Sequence, residues 1–140
     1  DVPRDAGALA PFVKVVDGGI DTSGLERLSP EGYTSVGHAS GRFTADVFAN
    51  DVALPIFKQG VGTFPSGSVL LMTHRERSPD AREGDRAAGP TFRMEKSGAG
   101  WRYSTVNKAG VLLADGTPES CVACHDDAPR DHVFPLLPAR

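Results

Sequence analysis

Apolar and polar residues alternate with the two-residue period of β-strands in several short stretches of the chain. Every odd position from Phe43 to Ala49 is apolar, so these side chains should share one face of a sheet. The unbroken apolar run Val69–Met72 indicates a strand buried on both faces. The predicted strands are residues 42–49, 68–74, 91–96 and 101–106, the last two joined as a hairpin through Ser97–Gly100.

Helical signals are short and lie between or after these strands. A hydroxyl or amide cap, in two cases followed by proline, predicts three short helices. They begin at Ser29–Pro30, Asn50–Asp51 and Thr117–Pro118; the second contains Pro55 and runs through Lys58, and the third ends near Ala128–Pro129. The charged segment from Arg75 to Pro90 should be an exposed loop, and Val133–Phe134 a short final strand. The expected fold class is mainly β (α+β): a twisted antiparallel sheet of four to five strands with short helices, one of them near the C-terminus.

The composition describes one ordinary globular domain over residues 1–140, with a loosely structured N-terminal arm over residues 1–28. The formal net charge of −3 argues against nucleic acid as a partner. No run of eighteen apolar residues occurs, so no membrane span is predicted. The chain begins at Asp1 without an initiator methionine, and we therefore expect that a signal peptide has been removed.

The only two cysteines, Cys121 and Cys124, lie three positions apart and are followed directly by His125. A pair so close in sequence cannot connect distant parts of a domain, so its role is local. Cys-Val-Ala-Cys-His is the attachment pattern of c-type haem. On one helical turn, two thiols at this spacing reach the same edge of a porphyrin and add to its vinyl groups, while the adjacent imidazole binds iron. The expected cofactor is one covalent haem c, with His125 as the iron ligand.

Two other chemistries use similar cysteine pairs. A zinc site needs four ligands, and only His38, His74 and His132 remain to complete it. A thioredoxin-like redox pair needs a βαβ context, which the strand pattern does not predict. Haem attachment fits the five-residue sequence best. Thioether formation needs reduced thiols and an export pathway. The haem motif therefore also predicts a periplasmic location.

A haem motif placed after several strands resembles the cytochrome P-460 and cytochrome c′-beta family. The segment Asp131–Phe134 looks like the family's Asp-x-Val-Phe, and Phe64–Gly67 looks like the Phe-x-x-Gly that precedes its central strand. Residues 94–103 resemble the strand pair ahead of the haem helix. The likeness covers residues 29–135, and it implies a β-rich, homodimeric cytochrome with haem c near its C-terminus.

Met72 indicates which of the two branches of this family the chain resembles more closely. The P-460 branch joins a lysine from the central strand covalently to the haem, which tunes it for oxidising hydroxylamine. Counting from Phe64, Met72 occupies that position here. The resemblance is therefore closer to the c′-beta branch, whose five-coordinate iron binds small gases such as nitric oxide and carbon monoxide.

The strands offer candidates for the distal side of the haem. Phe43, Leu70, Phe92 and Met94 either pack against the haem or are ordinary core residues. Met72 either lines the haem as an apolar residue or binds iron through its thioether, and the second arrangement suits electron transfer with redox partner proteins. His38, His74 and His132 are alternative sixth ligands, although each is expected at the surface. Hydroxylamine oxidation and peroxide reduction are further alternatives, but the lysine is missing and no distal acid–base pair is evident.

Overall fold

The chain is described by a computed structural model. The structure describes residues 15–16, 19–29, 33–34, 43–60, 62–76, 88–98, 100–107, 109, 111–126, 128, 131 and 133. The strands are β1 (Val15–Val16), β2 (Gly19–Ile20), β3 (Glu26–Arg27), β4 (Phe43–Ala49), β5 (Val69–Glu76), β6 (Thr91–Ser97), β7 (Gly100–Val106) and β8 (Leu112–Gly116). The helices are α1 (Leu54–Gln59) and α2 (Glu119–His125).

The main sheet has six antiparallel strands in the order β3-β4-β5-β6-β7-β8, so each strand pairs with its neighbour along the chain. A separate antiparallel pair joins β1 to β2. The mainly β class is confirmed, and so are the four strands expected from the alternation. The expected number of four to five strands was too low, because the short edge strand β3 and the edge strand β8 extend the sheet. The strand β3 also brings Glu26–Arg27, part of the predicted N-terminal arm, into the main sheet.

The strand register brings the alternating apolar residues of four strands onto one face of the sheet. We call this the helix-side face, because α1 and α2 pack against it. Its first row is Ala49, Leu70, Met94 and Tyr103; its second row is Val47, Met72, Phe92 and Thr105; and its third row begins with Ala45 and His74. Successive rows lie about 6.6 Å apart, because they are separated by two residues along each strand.

The opposite face of the sheet is also partly covered. Leu71 is buried on that side, whereas its neighbour Leu70 is buried on the helix-side face. The expectation that this strand is buried on both faces is therefore confirmed. Arg102 and Asp115 form an ion pair across β7 and β8 on the opposite face.

The segment between β4 and β5 forms the predicted helix α1, but the helix starts at Leu54 with Ala53 at the cap position, later than the predicted Asn50–Asp51 cap. Asn50 accepts hydrogen bonds through Oδ1 from the backbone N–H groups of Ala53 and Val69, both at 3.0 Å, and so connects the helix start to β5. The helix begins after Ala53, which leaves Pro55 in the first turn, where its missing N–H is not needed. Gly60 ends the helix with a left-handed φ of 77°.

The second helix begins one residue later and ends earlier than the sequence predicted. Pro118 rather than Thr117 stands at the cap position, with no side-chain cap hydrogen bond, and the helix ends at His125 instead of near residue 128. The predicted helix start at Ser29 leads into residues 30–32, which lie outside the described residues. Ser29 itself is buried and accepts a hydrogen bond from the N–H of Val47 at 2.9 Å.

The predicted loop over residues 75–90 and the predicted final strand Val133–Phe134 are only partly covered by the described residues. β5 continues to Glu76, and Arg75 forms a β-bridge with Ala88, so both ends of the predicted loop over residues 75–90 join the sheet. Residues 77–87 and Phe134 lie outside the described residues. Neither described helix has the length and apolarity needed to cross a membrane.

Candidate functional site

The helix α2, which carries the cysteine–histidine motif, lies over the first row of the helix-side face. Cys121 and Val122 pack against its apolar core, which also includes residues from α1 and from the segment after α2. The buried members of this core are Ala49, Ala53, Phe64, Leu70, Met94, Trp101, Tyr103 and Val133. The motif is therefore held on the sheet by apolar contacts on its Cys121 side.

The three motif side chains lie on one side of α2, because residues i, i+3 and i+4 are neighbours on a helix surface. Cys121 is partly buried, whereas Cys124 is exposed, and neither forms a disulfide. The His125 ring contacts the Tyr103 ring, with centroids 5.2 Å apart and planes inclined by 46°. Burial, together with the negative charges of Asp126, Cys121 and Asp131, raises the pKa of Tyr103 to about 12. Tyr103 therefore stays a neutral phenol beside His125.

The five candidate haem-packing residues all belong to the helix-side face, in different positions. Leu70 and Met94 lie in the first row and share the apolar core with Cys121. Met72 and Phe92 are paired across β5 and β6 in the second row, and both retain partial exposure. Phe43 lies farther from α2 and is buried. Met72 and Phe92 thus form a partly exposed apolar pair between the buried first row and the buried residues of the third row.

His74, expected at the surface, is instead 3% exposed in the third row. Its Nδ1 lies 2.7 Å from the carbonyl oxygen of Pro90, and its ring makes edge contacts with Phe43 and Phe92 at centroid distances of 5.8 and 5.4 Å. A carbonyl can only accept, so Nδ1 carries the proton. Burial lowers the pKa of His74, although the Pro90 hydrogen bond and the charge of Asp46 oppose the shift. The surface prediction was wrong for His74, and His38 and His132 lie outside the described residues.

A cluster of hydrogen-bonded residues centred on Asp131 also lies beside the motif. The Lys96 Nζ donates to both Asp131 carboxylate oxygens at 2.8 and 2.7 Å, and the lysine side chain is 2% exposed. The backbone N–H of Phe64 donates to Oδ2 at 2.8 Å, and the Trp101 Nε1–H donates to the Asp131 carbonyl at 2.8 Å. We call these four residues the Asp131 clasp. The clasp joins β6, β7, the loop before β5 and the segment after α2.

The clasp determines the ionisation of Asp131. Burial alone would raise the pKa of this carboxyl, but the Lys96 and Phe64 hydrogen bonds and the Lys96 charge outweigh it and lower the pKa below its ordinary value. A carboxyl whose pKa is lowered by folding stabilises the fold above its unfolded-state pKa. That contribution is lost as the pH falls through the lowered, folded-state pKa.

We therefore expect the free energy of unfolding to fall as the pH drops below about 4, the ordinary pKa of an aspartate. In Asp131→Asn this part of the acid dependence should disappear, because the amide does not titrate. Urea unfolding between pH 3 and pH 7 measures the effect. Glu26→Gln is the control, because Glu26 pairs with Lys58 at an exposed site. Equal acid slopes for Asp131→Asn and the wild type would contradict the assignment.

A scan against protein-family models found no match, and a search of curated proteins found no similar sequence. Among the described residues, no three His, Cys, Asp or Glu side chains form a group that could hold a metal ion.

The sequence prediction gave no role at the site to three residues beside the motif, Tyr103, Lys96 and Asp131, although Asp131 begins the segment that resembles the family's Asp-x-Val-Phe. Signals for two of them were present. Tyr103 and Lys96 each fall on the apolar side of an alternating strand, Tyr103 with Trp101 and Lys96 with Met94. A lysine on the inward face of a strand indicates a buried ion pair, although it does not name the partner.

Proposed function

We propose that the chain is a periplasmic mono-haem c-type cytochrome that binds small gaseous ligands, nitric oxide or carbon monoxide, at a five-coordinate iron. Cys121 and Cys124 would form the two thioether bonds, and His125 would be the protein ligand of the iron. The observation that carries the proposal is the Cys-x-x-Cys-His motif on a single helix lying over an apolar sheet face. When bound, the haem supplies an iron centre with one coordination position open to a diatomic ligand.

The arrangement of the motif supports haem attachment. Neither cysteine forms a disulfide, and Cys124 is exposed, so its thiol is accessible for addition to a vinyl group. A haem needs extensive apolar surroundings, and Met72 and Phe92 offer a partly exposed apolar strip one row away from the row that α2 covers. Leu70 and Met94 extend that strip beneath the helix.

The described lysines favour gas binding over hydroxylamine oxidation of the P-460 type. Lys58 is exposed on α1 and pairs with Glu26 at 3.0 Å. Lys96 is buried, but its ammonium group is bound to Asp131. The position of the crosslinking lysine is occupied by Met72, whose thioether cannot form that bond.

The same proposal includes a homodimer, as the resemblance implies. β8 is an edge strand of the sheet, and its Leu113 side chain is 61% exposed. An edge strand presents unpaired backbone groups that can pair with a second copy. A monomer in sedimentation equilibrium at micromolar concentration would contradict this part of the proposal and leave the haem assignment standing.

Replacing Met72 with leucine tests the open coordination position. Volume and polarity barely change, so the stability cost should stay below about 1.5 kcal/mol. If Met72 packs against the haem, the ferrous spectrum should remain high-spin, and carbon monoxide uptake should keep its wild-type rate. Met94→Leu, the same substitution in the buried first row, is the matched control.

A change from low-spin to high-spin iron in Met72→Leu alone would show that the thioether is the sixth ligand. The protein would then be an electron-transfer cytochrome with His125 and Met72 as ligands, which is the alternative function. Met72 faces the same side of the sheet as the motif helix, so the alternative has a structural basis.

A further inference from the structure

The chain that leaves the motif helix is attached to the same strand that His125 contacts. His125 lies against Tyr103 of β7. Asp131 is bound to Trp101, also of β7, through the indole Nε1–H and its own carbonyl oxygen. Trp101 and Tyr103 are two residues apart and share the helix-side face, so the two anchor points are separated by about 6.6 Å along one strand.

The anchor at Asp131 is built from both its backbone and its side chain. The carboxylate is bound by Lys96 and by the N–H of Phe64, and the carbonyl by Trp101. Asp131 adopts a φ of 45°, a left-handed conformation that is uncommon in residues other than glycine, asparagine and aspartate. Such a conformation persists where the surroundings hold it, and three strongly bound partners do so here.

The partners of Asp131 are themselves firmly held. Phe64 is 1% exposed and packs edge-on against the Trp101 ring at a centroid distance of 5.5 Å. Lys96 pairs with Trp101 across β6 and β7, and its ammonium nitrogen lies 5.2 Å from the centre of the indole ring. The clasp is therefore a buried point on the sheet with several bonded partners, and residues 126–130 connect it to His125 along the chain.

We propose that Asp131, held by Lys96 and Trp101, is a positioning residue for His125. By fixing the chain after α2 to β7, the clasp keeps the His125 imidazole against Tyr103 and sets its orientation towards the iron. This inference rests on the proposed ligation of haem iron by His125, but the contact between His125 and Tyr103 belongs to the polypeptide alone. The two can therefore be tested separately.

The first test uses the full-length chain without haem and measures the nuclear Overhauser effect between the ring protons of His125 and Tyr103. Asp131→Asn and Trp101→Phe should both abolish this cross-peak. Trp101→Phe removes one hydrogen bond and keeps an aromatic ring on Phe64, so it remains informative if the other variant folds poorly. Glu26→Gln, at an exposed pair, should keep the cross-peak. A cross-peak retained in both clasp variants would overturn the proposal.

The second test uses the protein with haem attached and measures the iron–histidine stretching frequency of the ferrous form by resonance Raman spectroscopy. The clasp variants should shift this frequency, and Glu26→Gln should not. A clasp with only a structural role would lower stability and leave the frequency unchanged, which would overturn the inference. If the wild-type chain acquires no haem while the cross-peak behaves as expected, the haem assignment fails and the effect of the clasp on His125 stands.

Discussion

Replacing Lys96 with methionine should lower the free energy of unfolding by about 3 kcal/mol, because it leaves the Asp131 carboxylate without its counter-charge. Removal of one partner from a buried pair typically costs about 3–5 kcal/mol. Asp131 retains 12% side-chain exposure and its hydrogen bond from Phe64, so we expect the lower end of that range. Urea unfolding at pH 7 measures the difference.

Lys58→Met is the matched control, since it makes the same substitution in an exposed pair whose side chains are 58% and 52% exposed. Surface pairs contribute less than about 1 kcal/mol, so this variant should unfold almost as the wild type does. Adding Asp131→Asn to Lys96→Met removes the uncompensated charge and should recover part of the loss, because asparagine tolerates the left-handed conformation. Equal losses for Lys96→Met and Lys58→Met would contradict the assigned role of the clasp.

Replacing both motif cysteines with alanine should abolish covalent haem completely, because no other cysteine exists in the chain. The fold should persist, since Cys124 is exposed and Cys121 only borders the apolar core. The circular dichroism spectrum should therefore stay that of a mainly β protein, while haem staining of the denatured protein disappears. Haem staining that survives in the double variant would contradict the assignment of the attachment site.

The single variant Cys124→Ala separates the covalent attachment of haem from the ligation of its iron by His125. One thioether to Cys121 can still form, so the variant should retain haem at reduced yield with His125 as ligand. Ser120→Ala is a suitable control, because it changes one residue of the same helix and leaves both cysteines in the sequence.

The central strands could be predicted because their alternation is strong and each buries a row of apolar residues. The alternation in 43–49 predicted a shared face correctly, and the register with β5 confirms it. The edge strands escaped prediction for a physical reason. β3 has two residues, both exposed, and β8 carries an exposed Leu113 beside partly buried neighbours, so neither shows a clear period.

The polar groups of the site depend on contacts that are distant in sequence. Lys96 and Asp131 are 35 residues apart, and no local pattern connects them. His74 was predicted at the surface, but Phe43, Phe92 and the Pro90 carbonyl, which come from different segments, enclose it. The motif itself could be found because its chemistry requires a fixed local spacing on one helix.

The mass of the denatured wild-type protein shows whether haem is covalently attached to the chain. The protein should be produced in a host that can attach haem c, extracted with acid acetone, and measured intact and after trypsin digestion. We expect a polypeptide carrying one haem, retained on a single peptide that contains Cys121 and Cys124. A mass equal to that of the bare polypeptide would show that no haem is covalently attached. A haem peptide that also carries a second, lysine-linked segment would contradict the gas-binding proposal and favour the hydroxylamine-oxidising alternative.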